Sequence, residues 1–320
     1  MPASAISPAL FSAEFRDLAV DLIQIEAEPG RDSAGRLPPW LRKPATDFGA
    51  VHDLKAELRR RSLHTVCESA RCPNMHECFS RGTATFMILG NTCTRTCGFC
   101  AVPQGMPGAL DPREPAQVAA MARAMDLSQV VITSVNRDDL PDGGSVHFAA
   151  TVRAVKGALP QARVEVLVPD FLGDLDAVAR VLESGCDVFN HNMETVARLY
   201  RRVRPQADYA RSLEVLQFAR SRAPEVLTKS GLMVGLGEAE AEVRDLLRDL
   251  RSVGADVATI GQYLQPKRRR LPVVEYVRPE VFDRYRDFGM SIGFRAVFSG
   301  PFVRSSYMAE AVHAEVAAGQ

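Results

Sequence analysis

The residues best suited to chemistry in this 320-residue chain are its cysteines. Six of the seven form two triplets: Cys67, Cys72 and Cys78, spaced C-x4-C-x5-C, and Cys93, Cys97 and Cys100, spaced C-x3-C-x2-C. The N-terminus lacks a basic start followed by an apolar core, so no export signal points to an oxidising compartment. Crowded thiols in such a chain are typical of metal ligation rather than of a disulfide framework. We therefore expect both triplets to bind metal.

The second triplet directly follows a strand-like apolar run, TFMILG (85–90). A cubane iron–sulfur cluster normally takes four thiolates, so three leave one iron open to a cofactor or substrate. This arrangement resembles the signature of the radical S-adenosylmethionine (SAM) superfamily. The resemblance implies that the open iron binds SAM and that its cleavage releases a 5′-deoxyadenosyl radical, with Phe99 near the adenine. The alternative is a structural zinc site, although zinc knuckles usually carry two C-x2-C pairs and this motif has one.

The first triplet is ambiguous by itself, because His64 or His76 could complete a Cys3His zinc site. Beside the second triplet it indicates another three-thiolate cluster that needs a fourth ligand. This pairing resembles the lipoyl synthase family, and the resemblance runs from about residue 60 to residue 308. It rests on GNTCTRTCGFC, TSVNRDDLPDGG, FNHNMETVARLYRRVRP, TKSGLMVGLGE, TIGQYLQP, LPVVEYV and GPFVRSSY.

The resemblance implies that a serine of the R-S-S-Y motif completes an auxiliary [4Fe-4S] cluster. We assign Ser306 as this ligand and catalytic residue, with Ser305 as the alternative. Iron in a sulfide cluster prefers soft thiolate, so a hard serine oxygen is more easily displaced from a cluster that must give up sulfur. The other interpretation is that the serine caps the helical stretch MAEAVHAEV.

The implied reaction is radical insertion of sulfur at C6 and C8 of an octanoyl chain that is amide-linked to a lipoyl carrier domain. Each insertion uses one SAM, and the auxiliary cluster is the sulfur source. The implied partners are octanoylated 2-oxoacid dehydrogenase E2 subunits, glycine cleavage H protein, a flavodoxin or ferredoxin electron donor, and an iron–sulfur carrier. Rival hypotheses are an enzyme resembling biotin synthase or a methylthiotransferase, and a zinc-stabilised binding module without catalysis.

Around SAM, the resemblance points to polar residues after two predicted strands: Thr133, Ser134 and Asn136 after the second, and Asn192 and Glu194 at the fourth. Turn formation or helix capping would explain each of them as well. Two interpretations of Arg304 stay open: a functional role, and an ion pair with a nearby carboxylate. Cys186 is interpreted as a small buried core residue. The basic run 267–270 could contact an acidic carrier, but a charge run is more typical of a solvated loop, which we favour.

The elements that position these residues are predicted strands that alternate with predicted helices. The apolar runs at 85–90, 129–135, 163–169, 187–193, 226–235 and 256–264 alternate with helical patterns, which predicts a parallel sheet. Six βα units are too few for a closed eight-stranded barrel. We therefore predict an α/β fold, an open partial (β/α)6 TIM-like barrel with an N-terminal cluster-binding extension; a doubly wound sheet is the competitor. Sites in such folds lie at the carboxyl ends of the strands.

We predict one domain with additions: an extension over 1–62, a barrel over 63–300 that includes an auxiliary-cluster segment at 63–82, and a C-terminal segment over 301–320. Lys plus Arg and Asp plus Glu both number 39, so net charge gives no argument for nucleic acid or an anionic membrane. No apolar run approaches the roughly 20 residues of a membrane span. These features predict a soluble, cytoplasmic protein.

Overall fold

The computed structural model describes residues 37–42, 49–69, 71–80, 85–306, 309, 315 and 316. Most of the predicted N-terminal extension, Tyr307 of the R-S-S-Y motif and most of the stretch MAEAVHAEV lie outside these residues. The division of the chain at residues 62 and 300 stays a prediction.

Eight strands form one sheet in sequential order. They are β1 (His64–Thr65), β2 (Thr85–Ile88), β3 (Gln129–Ser134), β4 (Arg163–Leu167), β5 (Val188–Asn190), β6 (Leu227–Val234), β7 (Val257–Gln262) and β8 (Ala296–Gly300). The two-residue β1 pairs antiparallel with β2, and every later pair is parallel. In a doubly wound sheet the strand order reverses at a switch point. The unbroken order seen here therefore excludes that alternative.

The described helices precede β2 or connect the parallel strands. They are α1 (Gly49–Arg60), α2 (Val66–Ser69), α3 (Met75–Ser80), α4 (Glu114–Ala124), α5 (Ser145–Ala158), α6 (Leu175–Leu182), α7 (Tyr200–Val203), α8 (Tyr209–Arg222), α9 (Glu240–Ser252) and α10 (Pro279–Ser291). Neighbouring connections pack on one another, α4 on α5 and α5 on α6. Six βα units followed by a seventh parallel strand confirm the partial barrel.

The sheet stays open, because β1 and β8 are its two ends and are not paired with each other in the described residues. The strands are nearly all buried because their β-branched and aromatic side chains face packed elements on both sides. Local signals set the helices. The Asp174 carboxylate accepts from the backbone N–H of Asp176 and Ala177 and thereby caps α6, whose apolar face is buried.

The fourth predicted strand is shorter than its apolar pattern indicates. The run 187–193 predicts seven residues of strand, but β5 ends at Asn190. Residues 191–194 form a loop instead, in which Glu194 has a positive φ of 65°. Because polar side chains at this point serve a cavity rather than the sheet, the pattern of residue types overestimates the strand.

Candidate active site

All six triplet cysteines line one cavity of about 380 Å³ at the carboxyl ends of the strands. The same cavity is lined by the other residues singled out from the sequence, Phe99, Thr133, Ser134, Asn136, Asn192, Glu194, Arg304, Ser305 and Ser306. These residues come from positions more than 200 apart in the chain, so only the parallel fold brings them together. Their individual roles stay predictions.

The second triplet lies in a loop between β2 and α4. Two backbone N–H groups donate to Cys93 Sγ, from Asn136 over 3.3 Å and from Arg95 over 3.5 Å. Burial, together with the charges of neighbouring triplet thiols, raises the pKa of Cys97 to about 12 and that of Cys100 to about 11. A bound metal favours the thiolate and offsets this cost. The three thiols therefore form a mutually interacting set suited to cationic iron.

Arg95, between the first two cysteines of this loop, is a buried clamp with 3% of its surface exposed. Its guanidinium donates to both oxygens of Asp138 over 2.7 and 2.9 Å, and to Oδ1 of Asp170 over 2.6 Å. The two carboxylates follow β3 and β4. The Thr94 backbone N–H and hydroxyl also donate to the Asn136 carbonyl, each over 3.1 Å. The cluster loop is thereby fixed to two strand ends.

The first triplet occupies two short helices and the turn between them. Cys67 is in α2 and Cys78 in α3, with Cys72 between them. Burial, together with the charges of Cys72 and Cys78, raises the pKa of Cys67 to about 12. His64 faces a separate surface depression with Arg59 and Glu68, and the side chain of His76 is outside the described set. The described contacts therefore give no support to His64 as a fourth zinc ligand.

The C-terminal segment reaches the cavity across two glycines. A Cβ on Gly261 of β7 would overlap the carbonyl oxygen of Val303. A Cβ on Gly231 of β6 would lie 2.6 Å from Ser305 Oγ and 2.8 Å from Asn192 Oδ1. Both contacts are too close for any other residue, so glycine at these two positions permits the segment to lie against the strand ends.

The two serines of this segment differ in their contacts. Ser305 Oγ donates to Asn192 Oδ1 over 2.9 Å, which engages its hydroxyl with a predicted SAM-binding residue. Ser306 lines the cavity and has no such contact within the described residues. This difference favours the assignment of Ser306 over Ser305 as the fourth ligand.

Arg304 is partly buried at the same cavity. Its Nη1 donates to the carbonyl of Val303 over 2.6 Å, and no carboxylate of the described residues forms an ion pair with it. Burial lowers the pKa of its guanidinium, while the charges of Cys72 and Glu194 oppose this change. Arg304 thus acts electrostatically on the first triplet and on the predicted SAM pocket together.

The predicted SAM residues fall into two groups. Thr133 Oγ1 donates to the Leu167 carbonyl over 3.0 Å, so this hydroxyl holds β3 to β4. By contrast, Ser134 Oγ and Asn136 Oδ1 are buried and have no hydrogen-bond partner among the described residues. A buried polar atom left unpaired costs about 1–3 kcal/mol. These two atoms are therefore positioned to be satisfied by a bound ligand.

At β5, Asn192 Nδ2 donates to Glu194 Oε1 over 3.0 Å, which orients both side chains. Burial raises the pKa of Glu194, opposed by the charge of Arg204 and by this hydrogen bond. Arg204 Nη1 also donates to the carbonyl of Asn192 over 2.6 Å. Arg204, a buried cation that the sequence pattern did not single out, therefore holds the Asn192–Glu194 pair and the loop that carries it.

His191 is a further residue that the sequence analysis missed. Its Nδ1 lies 2.9 Å from the carbonyl of Val168, while its buried Nε2, at the cavity, has no partner in the described part of the chain. A carbonyl can only accept, so Nδ1 carries the proton and Nε2 presents a lone pair. Burial, followed by the charge of Arg204, lowers the pKa of His191 to about 4. The sequence NHNMET did indicate this residue, because His191 directly precedes the predicted SAM-binding residue Asn192 and is close to Glu194.

The donor set fits iron–sulfur chemistry, because each triplet gathers three thiols and thiolate is the usual protein ligand of such clusters. Among the described residues, no three His, Cys, Asp or Glu side chains converge closely enough to hold a single metal ion. The remaining thiol, Cys186, is 4% exposed in the hydrophobic core, which agrees with its interpretation as a packing residue.

Comparison with known proteins defines the class first. The family model of the radical SAM superfamily matches residues 87–250, and that of the N-terminal domain of lipoyl synthase matches residues 20–72. Streptococcus suis SuiB bound to S-adenosylmethionine aligns with a TM-score of 0.51 and 10% identity, over 68% of this chain and 51% of that chain, which shows a shared fold. The chain is therefore a radical SAM enzyme, whose class implies an iron–sulfur cluster and SAM.

The relatives then specify the family. A lipoyl synthase from Rubrobacter xylanophilus is 55% identical over 283 residues, covering 88% of this chain and 88% of that protein. One from Caldanaerobacter subterraneus is 54% identical over 275 residues, covering 86% and 96% respectively. The chain belongs to the lipoyl synthase family. Within the described residues, no helix has the length and apolarity needed to cross a membrane.

Proposed function

We propose that this enzyme inserts sulfur at C6 and C8 of an octanoyl chain attached to a lysine of a lipoyl carrier domain. The observation that carries the proposal is the shared cavity, in which both cysteine triplets and the Arg304–Ser306 segment meet. A saturated methylene has neither a leaving group nor an acidic proton, so it requires a radical. When bound, the clusters and SAM supply that radical and the sulfide.

The chain's own residues have separate tasks in this proposal. Cys93, Cys97 and Cys100 hold one cluster through three thiolates and leave one iron for SAM. Ser134 Oγ, Asn136 Oδ1 and His191 Nε2, which are buried without a partner among the described residues, form hydrogen bonds with the cofactor. Arg95 prevents the cluster loop from shifting relative to the strand ends. Placement within about 1 Å matters here, because a radical reacts with whichever hydrogen is nearest.

Cys67, Cys72 and Cys78 hold the proposed auxiliary [4Fe-4S] cluster, with Ser306 as the fourth ligand. A serine oxygen is a harder donor than thiolate and is displaced from iron more easily. The apolar lining, which includes Val135, Leu167 and Leu232, suits an alkyl chain and excludes water from the radical. The two triplets line the same cavity, so the clusters they would hold would supply the radical and the sulfide to one bound substrate.

The proposed partners are those that the resemblance to the lipoyl synthase family implies. The substrate arrives on a 2-oxoacid dehydrogenase E2 subunit or on glycine cleavage H protein. A flavodoxin or ferredoxin supplies electrons, and an iron–sulfur carrier rebuilds the auxiliary cluster after it has lost sulfide.

The test measures how many molecules of 5′-deoxyadenosine form for each molecule of dithiolated product. Anaerobically reconstituted enzyme is incubated with dithionite, SAM and an octanoyl-lysine peptide, and 5′-deoxyadenosine and peptide products are quantified by mass spectrometry. We expect a dithiolated peptide, with two 5′-deoxyadenosines per product and a monothiolated intermediate. A methylthiolated peptide, or a single sulfur bridging two carbons, would support the rival sulfur-inserting enzymes instead. Absence of 5′-deoxyadenosine would contradict radical chemistry altogether.

A further inference from the structure

A band of basic side chains borders the mouth of the active-site cavity. This basic rim comprises Arg71, Arg202, Lys267, Arg268, Arg269 and Arg270. Arg71 Nη1 donates to the carbonyl of Pro266, a cavity-lining residue, over 3.3 Å. Lys267 Nζ donates to the carbonyl of Ala101 over 3.0 Å, directly after the second cysteine triplet. The loop between β7 and α10 therefore lies along the edge of both triplets.

The other members lie along the same edge. The amide of Gln104, another cavity-lining residue, accepts from Arg270 Nη1 over 2.8 Å in the orientation that satisfies its donors and acceptors. The carbonyl of Arg202 would lie 3.3 Å from a Cβ on Gly98, so α7 also contacts the cluster loop. Arg268 and Arg269, between Lys267 and Arg270, are exposed to solvent.

The described residues place no carboxylate in an ion pair with these cations. Several exposed arginines elsewhere are paired, as in Arg198 with Glu242 over 2.7 Å and Arg284 with Glu240 over 2.8 Å. Because the whole chain carries equal numbers of both charges, the rim is a local positive field and not the result of a basic composition.

We propose that the basic rim is the docking surface for an acidic face of the protein domain that presents the octanoyl chain. The inference rests on the proposed function, in which the substrate is tethered to another protein. A short tether reaches the cavity only if its domain lies against the mouth, where the rim is. Guanidinium groups bind carboxylates in a bidentate manner and align a partner more specifically than ammonium groups do. Rim charges act on encounter and KM, not on the chemical step.

The test compares two double charge reversals of equal size. Arg268→Glu/Arg269→Glu alters the rim. Arg123→Glu/Arg153→Glu is the matched control, since both arginines are exposed on the outer helices α4 and α5, line no part of the cavity and form no ion pair among the described residues. Two quantities are measured against ionic strength: the Kd for an octanoylated lipoyl carrier domain, and kcat/KM for that domain and for an octanoyl-lysine peptide without acidic residues. Iron content checks that both variants are assembled.

We expect the rim variant to bind the carrier domain about tenfold or more weakly at low salt, with the difference shrinking as salt screens the charges. Its kcat/KM for the peptide without acidic residues stays within about twofold of wild type. The Kd and both kcat/KM values of the control variant stay within the same range. The inference is overturned if the rim and control variants bind the carrier domain equally well. It is also overturned if the rim variant loses as much kcat/KM with the peptide as with the carrier domain. Tighter binding of wild type to duplex DNA or anionic vesicles than to the carrier domain also overturns it. Failure of wild type to thiolate either substrate would refute the proposed function, while the Kd arm still reports on the rim.

Discussion

Asn74 donates a hydrogen bond from Nδ2 to the carbonyl oxygen of Phe302 over 2.7 Å, joining two segments that are 228 residues apart. Asn74 lies between Cys72 and Cys78 and is 1% exposed. Phe302 shortly precedes Arg304, Ser305 and Ser306. This bond therefore ties the first cysteine triplet to the segment that carries its proposed fourth ligand.

Replacement of Asn74 should uncouple the first cysteine triplet from the C-terminal segment that carries Ser306. Asn74→Asp keeps the volume but removes the donor, and Asn74→Ala removes the side chain. Because the hydrogen bond between the two segments is lost, at a cost of about 1–3 kcal/mol, we expect iron at the auxiliary site and thiolated product to fall about tenfold. SAM cleavage persists. Iron, 5′-deoxyadenosine and product are measured in one sample; full iron and product in Asn74→Asp would contradict the tether.

The two adjacent serines should give different phenotypes. Ser306→Ala removes the proposed ligand and lowers thiolated product about 10- to 100-fold while 5′-deoxyadenosine still forms. Ser305→Ala removes only the hydrogen bond to Asn192 and retains the auxiliary cluster, so it raises the KM for SAM. Ser306→Cys restores iron binding but not turnover, since thiolate is a stronger ligand of iron. If Ser305→Ala loses the auxiliary iron and Ser306→Ala keeps it, the assignment is reversed.

The Arg95 clamp should be sensitive to its planar geometry and not only to its charge. Arg95→Lys keeps the cation but cannot bridge Asp138 and Asp170, and charged hydrogen bonds contribute about 1.5–3 kcal/mol. We expect SAM cleavage to fall about tenfold or more, with a changed electron paramagnetic resonance signal of the reduced cluster upon SAM addition.

The matched control for the clamp is Arg113→Lys. Arg113 forms a two-point pair with Asp111 at 3.0 Å, but 76% of its side chain is exposed, and solvent screens surface pairs of this kind so that they contribute little. Wild-type spectra and rates in both variants would show that the clamp has no positioning role.

His191 should make stability pH-dependent in a defined window. Its folded pKa of about 4 is below the ordinary 6.5 because of burial and the charges of Arg204 and Arg95, opposed by Asp170 and the Val168 carbonyl. Between these values the unfolded chain binds the extra proton, so stability is full above about pH 6.5 and falls as pH drops to about 4. The loss is about 3 kcal/mol.

This pH dependence can be isolated by substitution. His191→Gln removes the titration, so its urea midpoint should change less than that of wild type between pH 6.5 and 4.5. Parallel midpoint curves for the two proteins would contradict a buried neutral imidazole. The same variant should raise the KM for SAM or substrate, because it alters the unpaired acceptor at the cavity.

Much of the fold and site could be predicted from sequence because the relevant signals are local. Thiol spacing identifies the two triplets, and apolar runs identify six parallel strands. The carboxyl ends of parallel strands share one edge, which is why residues as distant as Ser134 and Asn192 were expected together. Each such inference needs only residue types and the regular geometry of a strand.

The remaining features depend on contacts between distant segments. Nothing in the local sequence pairs Arg95 with Asp170, or Asn74 with Phe302, and His191 differs from an ordinary core histidine only by its unpaired Nε2. The end of β5 at Asn190 was missed for a related reason. Residue types that favour a strand continue beyond it, while the cavity requires a loop.

The central claim is that each triplet holds its own cluster and that only the first supplies sulfur. The most direct measurement is iron and sulfide content, together with product formation, in wild type and in two triple Cys→Ala variants, at 67/72/78 and at 93/97/100. We predict two clusters in wild type and one in each variant. The 67/72/78 variant should still form 5′-deoxyadenosine but no thiolated product. Zinc in place of iron, or sulfur insertion that survives loss of the first triplet, would contradict the account.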